Sequence, residues 1–293
     1  MIRRSFLVLL LAASLSLIVP FPMSVVEPAR SSDFTFIGGM WSTPFSLEIA
    51  EGQGIWRPAI VVDSDGTPFG VFSDTWRNIG DGETSLSYFT SPGEDTWVSG
   101  NIEGTTDATH HSLAIGADDR IHMGVVLPDS VRYFTTDGVL GPADVAWSDE
   151  TVDTVQSDYC RVFVDESDHV HMIYTDTSGQ SLRHATMSAT GWIVESVEDV
   201  PHADAVALDS GNRIHACDNT EDGSLVYFSN STGEWFSETI DPNCDAMWST
   251  SIGVLADGTP VVVYCDWLND NMKMAVRVSG GWAISLKIAG ATH

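Results

Sequence analysis

The chain has 293 residues, of which 43% are hydrophobic, 10% aromatic and only 18% charged. This apolar content supplies a sizeable core and excludes an intrinsically disordered chain. With 41 acidic against 13 basic residues, the formal net charge is −28 at pH 7, which argues against nucleic acid and anionic lipid as partners.

The N-terminal segment has the order of a secretory signal peptide. Residues 1–4 read MIRR and are basic, an apolar run from Phe6 to Val19 follows, and Pro20 ends it. The run has about 14 residues, fewer than the roughly 20 that a membrane helix needs, although a permanent anchor is the alternative. We therefore expect removal of residues 1–30, a single domain over residues 31–293 that is secreted or on the cell-envelope exterior, and no membrane span in the mature chain.

Four cysteines, an even number in an exported chain, predict disulfides. No CxxC pair and no His/Cys spacing typical of zinc accompanies them. Three pairings are open, and the sequence favours Cys244 with Cys265 because both are expected at the same end of one repeat; buried free thiols are the alternative. The four residues are Cys160, Cys217, Cys244 and Cys265.

Internal periodicity is the dominant feature of the chain. Five segments consist of an apolar run, a polar turn and a second apolar run opened by His or Pro, at intervals of 44–54 residues. They read AIVVDSDGTPFGVF, LAIGADDRIHMGVV, RVFVDESDHVHMIY, AVALDSGNRIHAC and IGVLADGTPVVVY, and we place Pro68, His122, His171, His215 and Pro260 at one shared position.

A third short run follows each segment, and a tryptophan then opens a fourth. Four short strands in a unit of roughly 45 residues, joined by Asp/Gly turns, are the pattern of a β-propeller blade. A lone blade cannot bury both of its apolar faces, so we interpret the recurring tryptophan as a wedge between blades. These tryptophans are Trp97, Trp147, Trp192, Trp235 and Trp282.

The number of blades depends on residues 34–49, which contain Trp41 and resemble the third and fourth strands of another unit. We expect an all-β propeller of five four-stranded blades closed by this segment; a sixth blade is the alternative. The recurring histidine is interpreted as a cap on its turn rather than as a metal ligand. The DxDG motif at residues 63–66 is interpreted as a hairpin turn, with calcium as the alternative, and no other cofactor is predicted.

Two turns that lead into the fourth strand carry a family resemblance. They read SNSTGEW, residues 229–235, and SATGW, residues 188–192. In degenerate form they resemble the Asp-box turn of sialidase-type (BNR) propeller repeats, Ser-x-Asp-x-Gly-x-x-Trp, which lies between the same two strands. The resemblance covers essentially the whole mature chain. It implies a propeller fold and a tendency to bind or cleave glycans.

In a propeller, the loops before the first strands and after the second strands gather at one end of the central channel, which we call the channel mouth. Four tryptophans outside the repeat position map there, beside arginines and carboxylates. That combination binds sugars, although tryptophans that plug the seam of the ring are the alternative. The predicted ligand-binding residues are Trp56, Arg57, Trp76, Arg77, His110, His111, Arg161, His202, Trp248 and Trp267.

The sequence favours binding over catalysis. The first hypothesis is a secreted propeller that binds a glycan or another polar polymer. The second is a sialidase-like glycoside hydrolase or lyase, which needs two carboxylates at a suitable separation, and the third is an extracellular protein-interaction scaffold. The catalytic candidates of the second hypothesis are Asp74, Asp204, Asp266, His111 and Tyr159.

Overall fold

Short strands joined by tight turns follow from the local sequence, in which β-branched and aromatic residues alternate with polar ones and Asp, Asn, Gly or Pro separate the runs. Among the residues that the structure describes, no helix is long and apolar enough to span a membrane. The computed structural model describes residues 56–73, 85–93, 96–136, 145–179, 181–197, 202–203, 205–220, 222–246 and 250–289.

The strands form five four-stranded antiparallel sheets, each with its strands in chain order. We call the sheets blades 1 to 5. Blade 1 contains β1 Trp56–Val62, β2 Pro68–Ser73, β3 Leu86–Gly93 and β4 Thr96–Ile102, and blade 2 contains β5 His110–Ile115, β6 Ile121–Leu127, β7 Ser130–Thr136 and β8 Trp147–Asp153. The remaining strands are β9 Cys160–Val164, β10 Val170–Asp176, β11 Ser181–Ser188 and β12 Gly191–Val197 in blade 3; β13 Ala205–Leu208, β14 Ile214–Asn219, β15 Leu225–Ser229 and β16 Phe236–Asp241 in blade 4; and β17 Thr250–Val254, β18 Pro260–Asp266, β19 Asn271–Val278 and β20 Gly281–Ala289 in blade 5.

Consecutive blades pack side by side through their first strands, with β1 against β5, β5 against β9 and β13 against β17. Blades 3 and 4 share a buried apolar cluster that includes Ile173 and Phe228. All five blades belong to one compact unit, Gly54–His293. The fold is therefore the all-β propeller predicted from the repeats, with five four-stranded blades. The predicted signal peptide and the closing segment, residues 34–49, lie outside the described residues.

In blades 2 to 5 the recurring tryptophan joins its blade to the one before it, as predicted, whereas the side chain of Trp97 in blade 1 is not among those that the structure describes. Three of these indoles pack on an aromatic ring of the preceding blade, and Trp235 contacts the cluster shared by blades 3 and 4. Burying such large rings between sheets is the main apolar gain of blade stacking. The three ring pairs, with centroid separations, are Trp147–Phe69 at 5.9 Å, Trp192–Tyr133 at 5.3 Å and Trp282–Tyr227 at 5.1 Å.

The turn between the first and second strands has one geometry in all five blades, and we call these the first-hairpin turns. In each, the N–H of the fourth residue donates to the C=O of the first. That fourth residue has a positive φ, which Gly, Asn and Asp tolerate best. The five residues are Gly66 (φ 85°), Asp119 (61°), Asp168 (65°), Asn212 (60°) and Gly258 (83°).

The recurring histidine caps this turn in blades 3 and 4. His171 Nε2 lies 3.4 Å from Asp165 Oδ2, and His215 Nε2 lies 3.3 Å from Asp209 Oδ2. Each aspartate is the first residue of its turn, and its other carboxylate oxygen accepts backbone N–H groups of the same turn. The predicted structural role of the histidine is therefore confirmed in these two blades.

The strand register corrects one part of the repeat alignment. Pro68 and Pro260 are the first residues of β2 and β18, whereas His171 is the second residue of β10. Because proline has no N–H, the first residue of a strand is where a sheet accommodates it. The prediction that proline shares the histidine position is therefore wrong by one residue, and the equivalents of the histidine are Phe69 and Val261.

All four cysteines are free thiols, so the predicted disulfides are not formed. Cys244 Sγ lies 3.8 Å from the carbonyl oxygen of Asp241, in its own blade, while Cys265 belongs to β18 of blade 5. The favoured pair was chosen from position along the repeat, which does not fix where a thiol points. The alternative, buried free thiols, holds for Cys160, Cys217 and Cys244, each of which is 0% exposed, whereas Cys265 is partly exposed.

Candidate functional site

The channel mouth brings together side chains from three consecutive blades. His110 begins β5, Tyr159 immediately precedes β9, and His202 lies shortly before β13. The ring centroids of His110 and Tyr159 are 5.0 Å apart, and those of Tyr159 and His202 are 6.2 Å apart. We call these three rings the mouth row. Their proximity was expected, because the starts of the first strands converge in a propeller.

His202 lies between two carboxylates. Its Nδ1 is 3.2 Å from Asp218 Oδ1, and its Nε2 is 3.7 Å from Asp158 Oδ1. The Asp218 side chain is 7% exposed, whereas that of Asp158 is 59% exposed. Asp158 was not among the predicted site residues, although its position directly before Tyr159 could have identified it as one. These contacts orient the imidazole and leave one carboxylate open to solvent at the mouth.

The two histidines that open β5 are neutral at neutral pH. Burial lowers the pKa of His110 to about 3, and the guanidinium groups of Arg57 and Arg161 act in the same direction. Burial also lowers the pKa of His111 to about 4. A neutral imidazole has one donor and one acceptor nitrogen. The Nε2 atom of His111 is buried and has no hydrogen-bond partner among the described residues.

Two guanidinium groups flank the mouth row. Arg57 in β1 and Arg161 in β9 are exposed, and neither forms an ion pair within the described part of the chain. Arg57 has a φ of 51°, a left-handed conformation that is unfavourable for any residue with a Cβ. Elsewhere, arginines such as Arg132 and Arg277 are held by carboxylates. Burial lowers the pKa of Arg57, and the nearby Asp158 carboxylate attracts its guanidinium without forming an ion-pair contact.

Of the other predicted ligand-binding residues, Trp267 is in the loop after β18 and is 47% exposed. Trp56 begins β1, but its side chain is not among those that the structure describes. The four-tryptophan patch remains a prediction for this reason. The predicted residues that lie wholly outside the described ranges are Asp74, Trp76, Arg77, Asp204 and Trp248.

Asp266, a predicted catalytic candidate, is a buried structural group. Its side chain is 0% exposed, and its Oδ2 lies 2.6 Å from Lys273 Nζ. Asn269 donates to the same carboxylate from its backbone and from its side chain. Lys273 also bonds Asp241 of blade 4 at 2.9 Å. Lys273 therefore links Asp266 of blade 5 to Asp241 of blade 4, and these contacts favour a structural role for Asp266 over acid–base chemistry.

The motif at residues 63–66 is a hairpin turn, as predicted. Asp63 Oδ1 accepts a hydrogen bond of 2.6 Å from the backbone N–H of Thr67, so the carboxylate caps its own turn. In the ranges that the structure describes, no group of three or more His, Cys, Asp or Glu side chains could hold a metal ion.

The sequence matches no protein-family model and no curated protein. A protein of unknown function from Dyadobacter fermentans is 14% identical, with a TM-score of 0.54 over 83% of this chain and 76% of that one. A mutant of Aleuria aurantia lectin, solved with α-methyl-L-fucoside, is 13% identical, with a TM-score of 0.51 over 82% of this chain and 80% of the lectin. These likenesses show the β-propeller fold.

Sialidases are also among the structurally similar proteins. A Hadza microbial sialidase is 13% identical, with a TM-score of 0.48 over 73% of this chain. The match covers 50% of that sialidase. The assignment to BNR repeats has no support from a family model.

Proposed function

We propose that the protein is a secreted propeller that binds a glycan or another polar polymer at its channel mouth. The observation that carries the proposal is the mouth row, His110, Tyr159 and His202, flanked by Arg57 and Arg161, which form no ion pair with the residues that the structure describes. Sugar rings stack on flat side chains, and guanidinium and imidazole groups fix hydroxyl or carboxylate oxygens by directed hydrogen bonds.

The charge distribution supports a polar ligand at this end. The chain carries −28 net charge, yet Arg57 and Arg161 stand at the mouth beside three histidines. Asp158 adds an exposed acceptor to these donors. A surface that offers both donors and acceptors around aromatic faces suits polyhydroxylated ligands better than apolar ones.

The fold is compatible with this function but does not imply it. Aleuria aurantia lectin and SapL1 lectin, two proteins of similar fold, were solved with methyl fucosides. The proposal therefore depends on the side chains of the mouth. Export is proposed from the basic start and apolar run of the first residues, with residues 31–293 as the mature propeller domain.

A glycan array followed by affinity measurements tests the proposal. We expect Tyr159→Ala, Arg161→Ala and His202→Ala each to weaken binding at least about tenfold, roughly the loss of one good charge-assisted hydrogen bond. Arg213→Ala is the control, because Arg213 is in a first-hairpin turn at the opposite end of blade 4. The proposal would be refuted if the protein bound no glycan or polysaccharide. It would also be refuted if the wild type and all three mouth variants bound equally well.

A further inference from the structure

In blades 2 and 4 a tyrosine on the third strand bonds the recurring histidine. His122 Nδ1 lies 2.5 Å from the hydroxyl oxygen of Tyr133, and His215 Nδ1 lies 2.6 Å from that of Tyr227. Each tyrosine pairs, in the strand register, with the residue two positions after its histidine. A phenol keeps its proton at neutral pH, so it offers the histidine a hydrogen bond and offers a metal ion no lone pair comparable to that of an imidazole.

Blade 3 has a second histidine in place of this tyrosine. His184 pairs with the residue two positions after His171, so it holds the same place in its sheet as the two tyrosines hold in theirs. Its Nε2 lies 3.1 Å from His171 Nδ1, and the two rings are within 14° of parallel. We call these two residues the histidine pair. Of the three blades, only blade 3 can therefore offer two imidazole nitrogens at this place.

The carboxylate of the first-hairpin turn determines which nitrogen of His171 carries the proton. His171 Nε2 faces Asp165 Oδ2 at 3.4 Å, so Nε2–H donates to the carboxylate and Nδ1 keeps a lone pair. Asp165 is 2% exposed, and the backbone N–H groups of Ser167 and His169 hold its other oxygen. A carboxylate behind an imidazole is the usual outer partner of a metal-binding histidine, because it fixes the tautomer and the orientation of the ring.

The hydroxyl group of Thr186 lies on a third side of the histidine pair, 3.4 Å from each of the two facing nitrogens. A triangle with sides of 3.1, 3.4 and 3.4 Å has its centre about 1.9 Å from each corner. A water molecule does not fit at that centre, since its hydrogen bonds need about 2.8 Å. A metal ion just above the plane does fit, because zinc–nitrogen bonds are about 2.0–2.1 Å long.

The histidine pair is reached from the cleft between blades 3 and 4. His171 shares a face of its sheet with Ile173, which packs in the apolar cluster common to the two blades. His171 is 8% exposed, whereas His184 and Thr186 are both partly exposed. An ion can therefore enter from the side of His184, where water completes its coordination.

We propose that the histidine pair binds one divalent transition-metal ion of the class that prefers imidazole ligands, such as Cu²⁺ or Zn²⁺. The ligand atoms are His171 Nδ1 and His184 Nε2, and water fills the remaining positions beside Thr186. Without the ion, His184 Nε2–H donates to His171 Nδ1. On binding, His184 carries its proton on Nδ1 instead, so the ring stays neutral.

This is a two-histidine site, which needs no third His, Cys, Asp or Glu ligand. It lies at the first-hairpin turn of blade 3 and not at the channel mouth, so its occupancy does not depend on glycan binding. Asp165 is a positioning residue for the site, because it acts on the ion only through His171.

Titration of the purified protein with CuCl₂ and with ZnCl₂, followed by calorimetry, tests the proposal. We expect saturable binding that is tighter for Cu²⁺ than for Zn²⁺, the general order of affinity for nitrogen ligands. An excess of Mg²⁺ or Ca²⁺ should not compete, since both ions prefer oxygen ligands. Absence of saturable binding by either transition metal at millimolar concentration, or displacement by Mg²⁺ or Ca²⁺, would overturn the proposal.

His184→Tyr removes one ligand and restores the residue type that blades 2 and 4 have at this place. We expect the variant to fold, because a tyrosine hydroxyl can donate to His171 Nδ1. We expect its affinity for Zn²⁺ to fall at least about tenfold, the smallest loss usual when even an outer partner of a metal ligand is removed. Zn²⁺ affinity equal to that of the wild type would overturn the proposal.

His169→Gln is the matched control for His184→Tyr. His169 is a histidine beside the same turn, but its side chain is 63% exposed and its Nδ1 faces Asp165 instead of the histidine pair. We expect this variant to bind Zn²⁺ as tightly as the wild type. A loss as large as that in His184→Tyr would show that the ion is not held by the pair.

Electron paramagnetic resonance of the wild type with one equivalent of Cu²⁺ makes the test independent of how the variants fold. Coupling of the copper electron spin to nitrogen nuclei counts the imidazoles on the ion. We expect two imidazoles in the wild type and one at most in His184→Tyr. One imidazole or none in the wild type would overturn the site itself, whatever the glycan array shows.

Discussion

The side-chain amide of Asn212 donates a hydrogen bond of 2.6 Å to Asp165 Oδ2, across the boundary between blades 4 and 3. The Asp165 side chain is 2% exposed, so water cannot replace the lost donor. We expect Asn212→Gly, which keeps the positive φ, to lower the free energy of unfolding by about 2 kcal/mol. Urea denaturation of the wild type and the variant measures this loss of stability.

Asp107→Gly is the control for the Asn212 variant. Asp107 also has a positive φ, 61°, but its side chain is exposed. We expect a change of less than about 0.5 kcal/mol, as for most surface substitutions. Equal losses in both variants would show that backbone conformation, not the contact between blades, accounts for the effect.

Lys273 is the cation that neutralises two carboxylates of adjacent blades. It lies 2.6 Å from Asp266 and 2.9 Å from Asp241, and Asp266 is fully buried. Lys273→Met would leave that carboxylate without its counter-ion. We expect a loss of about 3 kcal/mol in the free energy of unfolding, since removing one partner of a buried pair strands the other.

Lys287→Met gives the matched comparison for Lys273→Met. Lys287 is exposed on β20, and we expect its replacement to change the free energy of unfolding by less than about 0.5 kcal/mol. Similar urea midpoints for the two variants would mean that the pair is not a structural contact, and Asp266 would again be a candidate for chemistry.

The repeats, the strand count and the packing of the tryptophans were predictable because each is a local property of the sequence. Alternating apolar runs and Asp/Gly turns recur unit by unit, and each turn fixes the strand after it. The proximity of His110, Tyr159 and His202 followed from topology alone, since propeller blades bring the starts of their first strands together.

Features that depend on three-dimensional distance were not predictable in the same way. The pairing of Cys244 with Cys265 assumed a thiol direction that position along the sequence does not determine. The hydrogen bond from Asn212 to Asp165 joins two turns that are 47 residues apart, and nothing in the repeat pattern indicates it.

Stability is expected to fall as the pH is lowered from about 6.5, because of the buried histidines at the mouth. The pKa of His110 is about 3 and that of His111 about 4, against 6.5 for the unperturbed residue. Between these values the unfolded chain binds more protons than the folded chain, so folding loses up to about 1.4 kcal/mol per pH unit for each histidine.

Urea denaturation between pH 7 and pH 5.5 measures this dependence. Carboxylates such as Asp176, whose pKa is lowered to about 2 chiefly by its hydrogen bond from Ser178, lose their contribution only below about pH 5. We expect His111→Gln to reduce the slope. A wild-type slope near zero over this range would contradict the burial of neutral histidines at the mouth.

Trp192 and Ile193 are consecutive residues of β12 that point to opposite faces of blade 3. Trp192 packs on Tyr133 of blade 2 with ring centroids 5.3 Å apart, whereas Ile193 is 56% exposed. We expect Trp192→Ala to lower the free energy of unfolding by about 3–5 kcal/mol, because it leaves a cavity between two blades. Ile193→Ala should cost less than about 0.5 kcal/mol. A comparable loss from both would mean that the tryptophan is not the wedge that joins consecutive blades.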